Sequence, residues 1–97
     1  MKLIFPACVR DEAREAINYY ELEEPGLGDL LWQELDMMVH WIVANAEVPR
    51  LRSGRYRRVN LRAFPYYIAY ALRGESVLLL AVAHSARRPE YWIDRDA

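Results

Sequence analysis

Apolar positions in the first half of the chain recur every three or four residues, whereas in the second half they alternate or run together, the signatures of helix and strand respectively. Lys2 to Phe5 is a short apolar run suited to a strand, and Pro6 can open a helix because its missing N–H is not needed there. Val9, Ala13, Ala16, Ile17 and Tyr20 then fall along one helical face, with Asp11, Glu12, Arg14 and Glu15 opposite as a solvated side. Pro25-Gly26 ends this helix. The spacing predicts a second helix over Leu27 to Ala46, with Leu27, Leu31, Leu35, Met38, Ile42 and Ala46 as its buried stripe and Asp29 capping its start or complementing its dipole. Apolar residues overflow that stripe. Trp32, Met37 and Trp41 are expected either to face another protein or to be shared within one core. His40 has no evident ligand-forming neighbour and reads as a surface or packing residue.

A loop over Glu47 to Gly54 separates these helices from three successive strands. In the first, about Tyr56 to Ala63, Val59, Leu61 and Ala63 alternate with Arg58, Asn60 and Arg62, so one face packs inward and the other carries guanidinium groups. Tyr66 to Leu72 forms the second, and Arg73-Gly74-Glu75 makes a hairpin turn. Ser76 to His84 is nearly unbroken in its apolarity, as for a central strand covered on both faces. The expected fold is therefore α+β: an N-terminal strand, two packed helices, then a three-stranded antiparallel meander forming one sheet, and a short C-terminal tail. Two helices cover one sheet face, which leaves the other face or its rim available for function. Residues 1–97 are expected to form a single domain.

Charge divides the chain along the same boundary. Met1 to Pro49 holds three basic residues against ten acidic, a net of −7, while Arg50 to Ala97 holds ten arginines against four acids, a net of +6. Either the two halves neutralise each other in the fold, or the second half faces something anionic. Twelve of the thirteen basic residues are arginines, whose planar, permanently charged forks suit phosphate or carboxylate and make poor general bases. The single Cys8 allows no internal disulfide, and the longest apolar run, Val77 to Ala83, is too short for a bilayer. No basic segment followed by an apolar one opens the chain, and a cytoplasmic protein without a membrane partner is expected.

The sequence shows no paired cysteines or histidine cluster for a metal, no phosphate-binding glycine loop and no nucleophile-elbow serine, so neither metal nor cofactor is expected. What it offers is a group of arginines with aromatic and imidazole neighbours. Arg58, His84, Arg87 and Tyr91 are candidate catalytic residues, since a histidine able to move a proton beside phosphate-binding guanidinium groups suits RNA cleavage by the 2′-hydroxyl. Arg57, Arg62, Arg88, Trp92 and Arg95 are candidates for binding phosphate or a partner. Each has a plainer alternative: His84 as a hydrogen-bonded strand end, Tyr91-Trp92 as the tail's anchor on the sheet, the arginines as a surface for an acidic protein.

With the segments placed, the chain resembles toxins of the RelE/ParE superfamily from bacterial type II toxin-antitoxin systems. The resemblance rests on AINYYE (Ala16 to Glu21) followed by PGLG (Pro25 to Gly28), on RRVNLRAFPYYIAY (Arg57 to Tyr70) and on AVAHSARRPEYW (Ala81 to Trp92), and it spans nearly the whole chain. It implies a growth-inhibiting toxin of the kind found in plasmid stabilization systems, neutralised by a cognate antitoxin whose C-terminal segment wraps over it. Trp32, Met37 and Trp41 would then face the antitoxin, and the two proteins would form a hetero-oligomer. RelE-like members cleave mRNA on the ribosome, using lysines and arginines of the sheet with a tyrosine near the C-terminus, whereas ParE-like members poison DNA gyrase. Here the only lysine is Lys2, outside that face, and the segment carrying His84 and Arg87 looks more like the ParE type. The resemblance therefore implies a ParE-like gyrase poison, with a ribosome-dependent, metal-independent mRNA endoribonuclease as the alternative. A non-toxic interaction module on the same fold is a third possibility.

Overall fold

The structure, a computed structural model, describes residues 1–96. Its elements are strand β1 (Lys2–Ile4), helices α1 (Ala7–Glu23) and α2 (Leu27–Ala44), strands β2 (Arg57–Asn60), β3 (Tyr66–Arg73) and β4 (Ser76–His84), and a final 3₁₀ turn (Ile93–Asp96). The sheet corrects the expected three-stranded antiparallel meander. It has four strands in the order β1-β4-β3-β2, with β1 added parallel to β4 and the rest antiparallel. Lys2, Leu3 and Ile4 lie opposite Ser76, Val77 and Leu78. A three-residue strand carries too little alternation to declare its partner, and parallel pairing leaves no hairpin in the sequence.

The two helices form a tight antiparallel pair because Gly28 lets them touch. A Cβ at this position would lie 2.7 Å from the Ile17 carbonyl oxygen and 2.9 Å from the Glu21 Cβ. Glu21 also starts α2: its carboxylate accepts the N–H groups of Gly26 and Gly28, two of the donors that a helix start leaves unpaired. Asp29 makes no cap; it lies in the first turn, where its charge suits the dipole. Behind the pair, Val9, Ala16, Leu31, Leu35 and Ile42 pack against Ile68, Tyr70, Val77, Leu79 and Val82 of the sheet.

β4 supplies both sheet faces, through a bulge. Tyr70 lies opposite Leu79 and Ala69 opposite Ala81, so Leu80 is an extra residue and the inward-outward alternation shifts past it. Val77, Leu79 and Val82 therefore point to the helices, while Leu80, Ala81 and Ala83 point to the outer face. That outer face is not open along its length. Trp92, only 1% exposed, packs there against Tyr56 and Tyr67, with ring centroids 4.6 and 6.3 Å away, and donates its indole N–H to the Tyr67 hydroxyl. The fold thus has a second, smaller core, in which the tail takes the place of a third layer.

Candidate functional site

The candidate residues are spread over several surfaces. One is an apolar groove of about 660 Å³ between α2 and the β1 edge, walled by Leu3, Phe5, Trp32, Val39, Val43 and Val82. Trp32 belongs to this groove and is 55% exposed. At about 100° per residue, Met37 and Trp41 fall on the opposite flank of α2 beside Leu30, 60% and 37% exposed respectively. The three apolar candidates are thus divided between two flanks of one helix. His40 stands at the groove margin, its Nδ1 2.8 Å from the Asp36 carbonyl oxygen and 3.6 Å from its carboxylate, a neighbour one helical turn back that the sequence reading did not credit.

The second surface is a cleft of about 200 Å³ where α1 meets the end of β4, lined by Tyr19, Tyr66, His84, Arg87 and Tyr91 together with Glu12 and Glu15. It brings together three of the four candidate catalytic residues. Their environment is specific. The His84 ring meets Tyr66 edge-on at 5.0 Å, and its Nδ1 accepts the Ala86 N–H, which places the ring proton of the neutral imidazole on Nε2. The Arg87 guanidinium lies 4.4 Å from the Tyr91 ring centroid. The Tyr91 hydroxyl donates to Glu12 Oε2 at 2.6 Å, and burial first, then the hydrogen bond and charge of Glu12, push its pKa up. A phenol so held is a poor base.

Glu12 organises this corner. Its Oε1 also accepts the Val82 N–H at 3.1 Å and the Arg95 Nη1 at 3.0 Å, so one carboxylate joins α1, β4 and the tail. By its place among Asp11, Arg14 and Glu15 it falls on the expected solvated side of α1. Its position, three residues after Val9 and four before Ala16, marks instead the boundary of the buried stripe, the signal that could have found it. Glu34 holds the corresponding place on α2. Three residues after Leu31 and four before Met38, it is 8% exposed, and it accepts the N–H groups of Arg62 and Ala63.

The candidate arginines do not form one clamp. Arg58 lies on the outer face, 3.7 Å over the Tyr67 ring, with Nε and Nη2 on the Asn60 side-chain oxygen. Arg57 points to the helix side and donates Nε to the Pro49 carbonyl oxygen. Arg62 and Arg88 are exposed in the β2–β3 connection and in the turn after β4. Arg95 is neutralised by Glu12 and also donates to the Leu80 carbonyl oxygen. Trp92, a candidate for binding phosphate or a partner, is enclosed in the second core. Among the described residues no three His, Cys, Asp or Glu side chains gather as a metal site, and no helix is long and apolar enough to cross a membrane.

A helix pair laid over a mixed four-stranded sheet is also the fold of a chain in the chromosomal ParDE TA system from P. aeruginosa. That chain matches with a TM-score of 0.75 over 87% of this chain and 95% of its own length, at 17% identity. No protein-family model matches. Toxin ParE2 of Mycobacterium tuberculosis, from strains CDC 1551 / Oshkosh and ATCC 25618 / H37Rv, is 34% identical over 84 residues, 84% of this chain and 78% of the relative. The chain belongs to the ParE family of toxins, within the superfamily its sequence resembles.

Proposed function

We propose that this ParE-like toxin inhibits growth by poisoning DNA gyrase, and that a cognate antitoxin holds it inactive in a cytoplasmic hetero-oligomer by laying an apolar segment into the groove beside α2. The observation that carries the antitoxin contact is the groove itself. It is open, walled almost entirely by apolar side chains and headed by a tryptophan more than half exposed, a combination that fits an amphipathic helix presenting its apolar face. Membership of the ParE family supports the gyrase target.

RNA cleavage would need a base, an acid and a cation around one phosphate. In the cleft, Tyr91 is committed to Glu12, two carboxylates would face the phosphate, and Arg58 lies elsewhere. These features favour the gyrase reading over the ribonuclease.

Induced expression tests the reading in three steps. Growth should stop, resume on co-expression of the antitoxin, and be accompanied by loss of supercoiling by purified gyrase. Trp32→Ala should weaken antitoxin binding about tenfold or more, as for a central aromatic anchor. Gyrase that supercoils normally in excess toxin, with mRNA cut on programmed ribosomes, would reverse the order of the two readings.

A further inference from the structure

The first nine residues after Pro49 read RLRSGRYRR: five arginines at 50, 52, 55, 57 and 58 and no acid. The fold makes a rigid knuckle of them. Arg52 and Tyr56 bridge through both backbone bonds, at 2.7 and 3.2 Å, and Arg55 N–H closes the turn on the Arg52 carbonyl oxygen at 2.9 Å. Ser53 and Gly54 take positive φ values of 51° and 65° at its tip. Glu90 fixes the knuckle from beneath, accepting the Ser53 hydroxyl at 3.1 Å and the Tyr56 hydroxyl at 2.6 Å.

This arrangement holds charge outward. Among the described residues no carboxylate contacts Arg50, Arg52 or Arg58. The Arg58 fork is met by a neutral amide oxygen, which orients it without cancelling its charge. Arg55 donates to the Ile93 carbonyl oxygen and stands 3.9 Å from the Asp94 carboxylate, so it braces the knuckle against the tail. Arg57 turns to the helix side. Arg50, Arg52 and Arg58 are left as the outward cations.

We propose that this knuckle is a contact surface for the phosphodiester backbone of duplex DNA, an inference that rests on the gyrase reading and gives the toxin a direct hold on the DNA that gyrase carries. Arginines concentrated on one short turn, one of them with its fork already oriented by Asn60, suit phosphate contact. The aromatic residues decide for duplex over single strand. Single-stranded nucleic acid is held by stacking on exposed rings, and the rings beside the knuckle are all buried, Tyr56 at 5%, Tyr67 at 3% and Trp92 at 1% exposure. An acidic peptide fits less well here, because the apolar groove that would take its hydrophobic side chains lies elsewhere, beside α2.

The test is fluorescence anisotropy of a 20-base-pair duplex titrated with the purified toxin at several salt concentrations. Three phosphate contacts give a log-log salt slope of about −2.7, roughly a 40-fold loss of affinity from 50 to 200 mM salt. R50Q/R52Q should lower affinity at 50 mM salt at least tenfold and flatten the slope to about −0.9, while R50K/R52K, which keeps the charges, stays within a few-fold of wild type. The matched control R10Q/R14Q, with both charges removed from α1, should bind as wild type. Equal losses in R50Q/R52Q and R10Q/R14Q, no binding at 50 mM salt, or polyglutamate binding more tightly than duplex would each overturn the proposal. A supercoiling assay run beside it separates the two claims. Wild-type toxin that binds duplex yet leaves gyrase unaffected removes the gyrase reading and keeps the surface, whereas R50Q/R52Q that binds duplex as wild type removes the surface alone.

Discussion

Replacing Glu12 should loosen the C-terminal tail more than its place on a helix surface suggests. The carboxylate is 15% exposed and holds the Val82 N–H, the Tyr91 hydroxyl and the Arg95 guanidinium, itself 30% exposed. Hydrogen bonds to a charged group contribute about 1.5–3 kcal/mol each, but these share one acceptor and will not add. For Glu12→Ala the nearer guide is the loss of one partner from a buried ion pair, about 3–5 kcal/mol, since Arg95 and the Val82 N–H lose their acceptor together. Glu12→Gln keeps the size and an amide oxygen for Val82 and Arg95, and its NH₂ can donate to the Tyr91 oxygen, so about 1–2 kcal/mol is expected. In a domain of this size those values correspond to Tm decreases of roughly 12–40 °C and 4–16 °C. Urea titration gives the free energies, and amide hydrogen exchange locates the effect, which should appear first in residues 91–95 and at Val82. A Glu12→Ala protein within about 0.5 kcal/mol of wild type, the scale of ordinary surface substitutions, or one no less stable than Glu12→Gln, would refute the three-way lock.

Gly28→Ala should destabilise by about 2 kcal/mol in urea titration, because its methyl group would meet the Ile17 carbonyl at 2.7 Å and push the helices apart, outweighing the helix propensity gained. Trp92→Ala should lower stability by about 3–5 kcal/mol by emptying the second core, whereas Trp41→Ala on the exposed flank should stay within about 0.5 kcal/mol. Glu90 makes stability depend on acid. The Tyr56 hydroxyl, then that of Ser53, hold its pKa below the ordinary 4.5, so its contribution is complete above that value and is lost as pH falls through the lower folded value. Unfolding followed below pH 5 should show a weaker acid dependence in Glu90→Gln. At the alkaline end Tyr56 and Tyr70 titrate only at about 12, raised mainly by burial, so they stabilise below the ordinary 10 and lose that contribution as pH rises toward 12, a loss Tyr70→Phe should reduce.

The local elements were legible in the sequence because each is declared by neighbours. Ser76–His84 was found to the residue from its apolar run, and the helix pair from its stripes and from Pro25-Gly26 between them. The partner of β1 was not legible, since three residues cannot announce a strand more than seventy positions away. β2 ends at Asn60, short of the expected Ala63: the alternation of Val59, Leu61 and Ala63 continues in the sequence where the backbone already turns to meet Glu34. Charge was read as a sum by halves, which hid the division that matters: Arg95 is neutralised by Glu12 of the acidic half, while Arg50 and Arg52, which the sequence reading did not single out, project from the knuckle. His84, Arg87 and Tyr91 line one cleft with Glu12 and Glu15, two carboxylates that no local spacing ties to it, while Arg58 lies on the outer face.

Because β1 pairs only with β4, Lys2 to Ile4 have no sheet to join until Ser76 to Leu78, more than seventy residues later, have left the ribosome. During synthesis the helix pair can close first, but the groove walled by both Leu3 and Val82 exists only once β1 and β4 meet. An antitoxin seated there would recognise finished molecules and ignore nascent ones.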